Sequence, residues 1–496
     1  MDRSVAQGRP ANPAAGGRRL WLAPIRRLWL APARRSPAIG LLLVALAAAV
    51  YLGTQVPGRY YDHFVWQASA FLEGKAAIRY PVDASAAGPG NALFQDVLPI
   101  LSSDTSPRGL LPFPPLPAVV LVPFVAIWGL ATDDQTIFTI LAAIDVGLCW
   151  WMLGRFRIRE TVRLGTTVVF AFGTVFWYTA QLATTWYQAH IVAVGLTLLA
   201  VGLALGADPR AQDPVEDGAV EDRGAAAGAA HALGIDRRQF VAGFLLGLAA
   251  TARLTVVLGA PFFVLVGAGG TRWRGGWSAA LGAAIPVALL FGYNVVTTGH
   301  VFHPAYDFLY RLESRAYTAL GYHPEWSAED PRYLPQNAAI MFLTTPDVLP
   351  ARLPDSLGVN DTPVCQGPDR TRGLFDSACP IAVPRDIGMS VLLTTPAFLV
   401  AVAAIRRYRR SRLVTAAMLA VVLITVVDLM HFSQGWVQFG YRFSLDWVPF
   451  ALPVLALGFE AMAGGGRRTT ALAAGLIGIS IAVNAWGVAW GRLLGW

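Results

Sequence analysis

Long apolar runs dominate the hydropathy pattern of this chain, and its polar residues are gathered into a few blocks between them. Nearly uncharged runs of about 18 or more residues predict helices that cross a bilayer. They fall near 38–56, 135–153, 163–181, 187–206, 277–297, 387–405, 413–431, 443–462 and 469–490. A further apolar stretch, 239–268, is interrupted by Arg253 and flanked by Arg237 and Arg238 on one side and by Arg272 and Arg274 on the other. Two short or tilted helices meeting near Arg253 fit that pattern, because both basic ends then lie on one side. The segment 112–130 (PFPPLPAVVLVPFVAIWGL) is also apolar, yet its prolines crowd the amino-terminal half, which predicts a re-entrant or interfacial helix. The reading is an all-α polytopic membrane protein with about 11 transmembrane helices.

Composition narrows the class. Of 496 residues, 55 % are apolar and only 14 % charged, where a soluble domain carries about 25 % charged residues. Mean hydropathy is +0.49. Disorder, coiled coil and collagen are excluded on the same figures, since Gly and Pro follow no strict period. Lys75 is the sole lysine among 39 basic residues, the signature of a GC-rich, arginine-biased genome.

A net charge of +8 would suit a nucleic-acid partner, but the arginines are placed as topology signals. Residues 1–37 form a basic tail, expected to be disordered and cytoplasmic. Further clusters stand at 155–163 (RFRIRETVR), 272–274, 406–412 (RRYRRSR) and 467–468. Assigning these to the cytoplasm leaves 57–134 and 298–386 outside, with net charges of −3 and −4. The segments are then a transmembrane module over 38–297, a low-complexity cytoplasmic linker at 207–236, a large outside loop at 298–386 and carboxy-terminal helices over 387–496. No cleavable signal peptide is expected, because the first apolar run lies behind the basic tail. Cys365 and Cys379 share the second outside loop and are candidates for a disulfide, while Cys149 falls inside a span.

The first outside segment opens with RYYDHFVWQASAFLEGKAAIRYP. Apolar residues at 64, 65, 68, 71 and 72 recur at helical spacing, predicting a helix along the membrane surface. Asp62 has two readings. It is placed to be the N-cap of that helix, or it is an acid at the membrane surface, partly desolvated, able to take a proton from an attacking hydroxyl.

The order of motifs carries a resemblance. Tyr61-Asp62-His63 followed by AFLEGK, then LPFPPLPAVVLVPF, resembles the opening of the GT-C superfamily of polyprenyl-phosphate-dependent glycosyltransferases, which includes the protein O-mannosyltransferases and aminoarabinose transferases. Four later segments are similar to it in the same order: GFLLGLAATARLTVVLGAPFFVL (243–265), YNVVTTGHVFHPAYDF (293–308), GMSVLLTTPAFLVAV (388–402) and QFGYRFSLDWVPFALPVLALG (438–458). The resemblance covers most of the chain. It implies a GT-C-like fold and a bacterial cell-envelope enzyme of the cytoplasmic membrane with an outside active site. A sugar on a polyprenyl phosphate is the donor, and a hydroxyl on a lipid, glycan or protein is the acceptor. The acid of the first outside loop acts as base, which maps onto Asp62, and attack opposite the phosphate inverts the anomeric centre.

Donor phosphate calls for arginine, whose planar fork bonds two oxygens at once. Arg442 matches the superfamily's Arg-Tyr, although Phe443 follows it here and Tyr441 precedes it. Its alternative roles are snorkelling and a pair with Asp446 one turn later. Arg59 and Arg253 are further phosphate candidates. Tyr61, His63, Trp186, Tyr187, Gln188, His190 and Tyr441 are candidates for substrate contact, with aromatic-belt anchoring as the plainer role of Trp186 and Tyr187. Asp62, His63, His190, His300, His303 and His431 all fall near the outer face, but no tight spacing such as HExxH calls for a metal. No cofactor, nucleic acid or obligate protein partner is implied. The rival readings are a transporter or flippase of a lipid-linked saccharide, an O-antigen ligase or polymerase, and a non-catalytic scaffold.

Overall fold

The computed structural model describes residues 37–56, 62–79, 96–100, 108–207, 234–267, 272–305, 307, 323, 325–354, 361–367, 370–433, 435 and 437–496. The predicted basic tail and almost all of the predicted linker lie outside these, as do Arg59 and Tyr61. The protein is mostly helical, at 70 %. Among the described residues, six helices are long and apolar enough to cross a membrane, as in a multi-pass membrane protein.

Helix α1 (Pro37–Thr54) leads to α2 (His63–Leu72), whose Phe64, Val65 and Ala68 are fully buried. Short strands β1 (Ile78–Arg79), β2 (Leu98–Ile100) and β3 (Arg108–Leu110) form an antiparallel sheet in the order β1-β3-β2, with Ile78 and Pro99 both opposite Gly109. Helix α3 (Leu116–Trp128) follows and packs against α2. At 1.5 Å per residue its 13 residues reach roughly 20 Å, short of a bilayer's hydrocarbon core.

The bundle continues with α4 (Asp134–Leu153), α5 (Glu160–Phe172), α6 (Phe176–Leu182) and α7 (Thr185–Ala207). The run predicted as one span at 163–181 is thus two helices, parted at Gly173, which lies against Ser480. Arg163, counted in the sequence among topology arginines, is buried and folds back to donate to the Trp150 carbonyl at 2.8 Å. Helix α8 (Arg237–Ala250) ends at Thr251, and a 3₁₀ turn over Leu254–Gly259 leads into α9 (Ala260–Leu265). The break predicted near Arg253 is therefore present. Helix α10 (Arg272–Thr298) is one of the six long ones.

Helices α8 and α10 cross at backbone distance. A Cβ on Gly243 would overlap the Ala279 carbonyl, one on Gly247 the Ala283 carbonyl, and one on Gly282 the Phe240 carbonyl. Small residues of this kind let helices in lipid pack closely where no hydrophobic force joins them. Gly243→Val is expected to lower stability by about 1–3 kcal/mol, since backbone cannot retreat as a side-chain tip can. Thermal unfolding in detergent measures this, and an unchanged midpoint would refute the close crossing.

Beyond α10 the chain forms α11 (Leu334–Leu343) and two small hairpin-like pairs. Strand β4 (Asp347–Val348) pairs with β7 (Ala382–Val383), and β5 (Arg352–Pro354) with β6 (Asp361–Pro363). Cys365 and Cys379 are joined in a disulfide within this segment, and Trp490 packs on Leu353 and Val383. The bundle closes with α12 (Val391–Thr394), α13 (Ala401–Arg407), α14 (Arg412–Met430), α15 (Val448–Gly464) and α16 (Arg467–Leu494). The run predicted as a span at 387–405 is broken at Pro396, where α12 passes into a 3₁₀ turn. The predicted span at 443–462 opens as a 3₁₀ turn over Arg442–Asp446 before α15 begins.

Candidate active site

Asp62 stands at the N-cap position of α2, yet its side chain makes no capping bond. Its backbone carbonyl starts the helix by accepting from Val65 at 2.9 Å. The carboxylate instead accepts the Trp66 indole N–H on Oδ2 at 3.2 Å. Its Oδ1 is closed off from solvent and has no hydrogen-bond partner among the described residues. Burial pushes the Asp62 carboxyl above its usual range, with the Asp62 backbone and Trp66 hydrogen bonds pulling the other way. The N-cap reading is thus not what the side chain does. His63 is buried and hydrogen-bonded through Nδ1 to Thr185 Oγ1 at 3.0 Å.

The first turns of α7 gather the remaining candidates. The Trp186 ring lies 5.8 Å from that of His63, and its indole N–H donates to Asp96 Oδ2 at 2.7 Å. Tyr187 carries the Arg442 guanidinium over its ring at 5.1 Å and donates its hydroxyl to the Val437 carbonyl at 3.3 Å. Gln188 is fully buried and donates to Asp134 Oδ2 at 2.6 Å and to the Ala183 carbonyl at 2.9 Å. Contacts therefore run from His63, beside Asp62, through Trp186 to Asp96, while Tyr187, next in the chain, meets Arg442.

Arg442 is buried, and Gly435 makes room for it: a Cβ there would come within 2.8 Å of the guanidinium carbon. Gly435 adopts φ +85°, open to glycine at no steric cost. Asp96 sits at φ +60°, a region Asp tolerates better than most residues. Burial raises the Asp96 carboxyl, while Trp186 and Arg442 draw it back down.

One expectation is corrected. Asp446 does not pair with Arg442; it takes a forked ion pair from Arg253, with Nη2 to Oδ2 at 2.8 Å, and a hydrogen bond with His190 Nδ1 at 3.0 Å. Arg253, considered for donor phosphate, is thus committed to a carboxylate, because the break after α8 aims it across the bundle at the 3₁₀ turn. His190 is fully buried at that same contact. Tyr441 is fully buried too, with its ring edge-on to Phe443 at 5.9 Å. Phe443 is the shared neighbour, lying 4.8 Å from the Arg253 guanidinium carbon and 5.5 Å from that of Arg442.

An apolar groove of about 550 Å³ opens on the other side of α2. Phe71, Leu116, Val119, Leu289, Tyr293 and Val296 are among its walls. Gln67 and Phe71 of α2 both touch Tyr293, at 3.4 Å and 6.1 Å between rings, so one helix borders both the Asp62 corner and the groove. Among the described residues, no group of three or more His, Cys, Asp and Glu comes together to hold a metal ion.

No protein-family model, curated protein or solved structure matches the chain.

The site must therefore be read from its own chemistry. Asp96, Asp134, Gly435 and the true partner of Asp446 were missed in the sequence. Asp96 stands in an irregular stretch and Asp134 at the mouth of an apolar run, with no spacing to mark either. Gly435 carried a faint signal, as a glycine a few residues before a candidate arginine.

Proposed function

We propose that the protein is a membrane glycosyltransferase of GT-C type, moving a sugar from a polyprenyl-phosphate donor to a hydroxyl acceptor at the outer face of the cytoplasmic membrane. One observation carries the reading: the Asp62 side chain is released from capping, and its Oδ1 is buried without a hydrogen-bond partner among the described residues. An unpartnered carboxylate oxygen is costly to bury and is the feature expected of a proton acceptor. The apolar groove bordering α2 supports the same reading, because it offers a place for an isoprenoid chain within reach of the headgroup site.

In the proposed step the acceptor O–H passes its proton to Asp62 as its oxygen bonds the anomeric carbon. The bond from that carbon to the phosphate oxygen breaks, and the electron pair leaves with the polyprenyl phosphate. Phosphate departs without protonation, so one base is sufficient. Arg442 neutralises charge on the leaving group.

The test is transfer of radiolabelled sugar from a panel of polyprenyl-phosphate sugars to membrane acceptors by the purified protein. Transfer that requires Asp62 supports the proposal. A folded protein that consumes no donor in the panel, but moves a lipid-linked saccharide between leaflets of a vesicle, would replace it with transport.

A further inference from the structure

The lobe between α10 and α12 carries bulky apolar side chains on its surface that the transfer reaction does not use. Leu343 at the end of α11 is 73 % exposed, Val348 of β4 66 % and Leu349 56 %. Leu374, Phe375 and Ile381 are exposed as well. Scattered exposed leucines are ordinary, but a contiguous apolar group marks a contact surface. Backbone pairing puts these residues side by side. Val348 lies opposite Ala382 in the β4–β7 pair, and the Leu349 amide donates to the Ile381 carbonyl at 2.7 Å. The Ile381 amide donates in turn to the Gly373 carbonyl at 2.9 Å, and Leu374 and Phe375 follow Gly373 directly. Leu349 holds φ +52°, a left-handed conformation that disfavours a leucine, and is exposed all the same.

The place of this lobe in the bundle points to its occupant. The Ser390 amide donates to the Thr344 carbonyl and its hydroxyl to the Phe342 carbonyl, both at 2.9 Å. The exposed end of α11 is thereby tied to the start of α12, where Leu392 and Leu393 are exposed in turn. Asn337 of α11 donates to the Leu429 and His431 carbonyls at the end of α14, and Trp490 near the end of α16 packs on Leu353 and Val383. Helices α14 and α16 are both long and apolar enough to cross a membrane, so the lobe sits where such helices leave the hydrocarbon. Arg385 and Asp347, beside the apolar group, pair at 2.7 Å, and Arg372 turns back to the Pro350 and Pro380 carbonyls. We propose that Leu343, Val348, Leu349, Leu374 and Phe375 seat the lobe in the lipid leaflet at this end of the bundle, roughly 5–10 Å into the boundary between headgroups and acyl chains. The Cys365–Cys379 disulfide closes the loop that bears Leu374 and Phe375, so both are presented to the lipid from a braced turn.

The test reads depth in a bilayer and is independent of sugar transfer. Leu349→Cys and Phe375→Cys are labelled one at a time with an environment-sensitive fluorophore, in the full chain reconstituted into phospholipid nanodiscs. Cys149 is buried, and mass spectrometry verifies that the Cys365–Cys379 bond is intact. Asp361→Cys, at an exposed position on β6, is the reference, and each variant is required to unfold at the wild-type temperature. Labels at 349 and 375 should emit further to the blue than the label at 361, be quenched by nitroxide-bearing lipid and be shielded from aqueous iodide. Val348→Glu with Leu343→Glu should return the label at 375 to iodide, because two charges in the apolar rim oppose its seating. Equal iodide access at 349, 375 and 361 would overturn the proposal. Shielding that appears only when two copies of the protein share a disc would assign the surface to a second copy, and would overturn it as well.

Discussion

Asp62→Asn is expected to cut sugar transfer by about 10²–10⁴-fold, the usual contribution of a positioned general base, while leaving the protein folded. The second half of that expectation comes from the geometry. Asp62 contributes no side-chain cap to α2, and its one bond, from the Trp66 indole, can pass to the amide oxygen of Asn. An N-cap residue would behave in the opposite way, losing stability with transfer only indirectly affected. Burial raises the Asp62 carboxyl, so its charged form is disfavoured in the folded state. A group of that kind supports the fold at low pH and loses that contribution as pH rises through its folded pKa. Asp62→Asn should therefore unfold at a temperature equal to or above that of wild type at neutral pH. The catalytic profile carries the same sign: transfer needs the ionised base, so the acid limb of kcat/KM should lie above the range of an exposed aspartate, near about 4. Thermal unfolding measured beside the pH profile distinguishes base from cap, and a fold lost along with transfer would sink the assignment.

Asp446→Ala is the substitution expected to damage the fold most. Asp446 is fully buried and holds Arg253 of the break after α8, His190 of α7 and Thr255 of the following 3₁₀ turn. Removing one member of a buried pair strands the other charge, at a cost of about 3–5 kcal/mol. A double-mutant cycle separates the partners. Asp446→Ala with Arg253→Ala should be less damaging than the sum of the two, with a coupling of about 0.5–3 kcal/mol. Asp446→Ala with Arg442→Ala should be nearly additive, because Asp446 bonds Arg253 and not Arg442. Strong coupling in the second cycle would restore the helical-spacing pair suggested by the sequence.

That contrast shows where a linear reading stops. Apolar periodicity made the long helices legible, and the basic flanks on both sides of 239–268 made the break near Arg253 legible as well. The helices parted at Gly173 and at Pro396 were read as straight spans, because a run of apolar residues keeps its hydropathy whether or not the backbone turns within it. The helix over His63–Leu72, with Asp62 at its start, was visible from spacing. The partners of Asp446 were not, since its contacts with Arg253 and His190 join residues about two hundred positions apart and depend on how three elements cross. Asp96 was hidden for a different reason: it lies in irregular chain before a short strand, where one carboxylate looks like any other until Trp186 is seen to hold it.

The segment before α11 bears on the site in a mechanical sense. The Asp330 amide donates to the Met430 carbonyl at 2.8 Å and the Phe432 amide to the Ala328 carbonyl at 2.7 Å, so the two stretches are laced as a short ribbon. Glu329 accepts from the His431 ring at 3.2 Å, and that hydrogen bond holds its carboxyl below the usual range. The His431 ring lies 6.0 Å from Phe443, the ring that Arg253 and Arg442 share. The His431 imidazole thus stands between the ribbon and the aromatic hub, like a pin between a handle and its spindle.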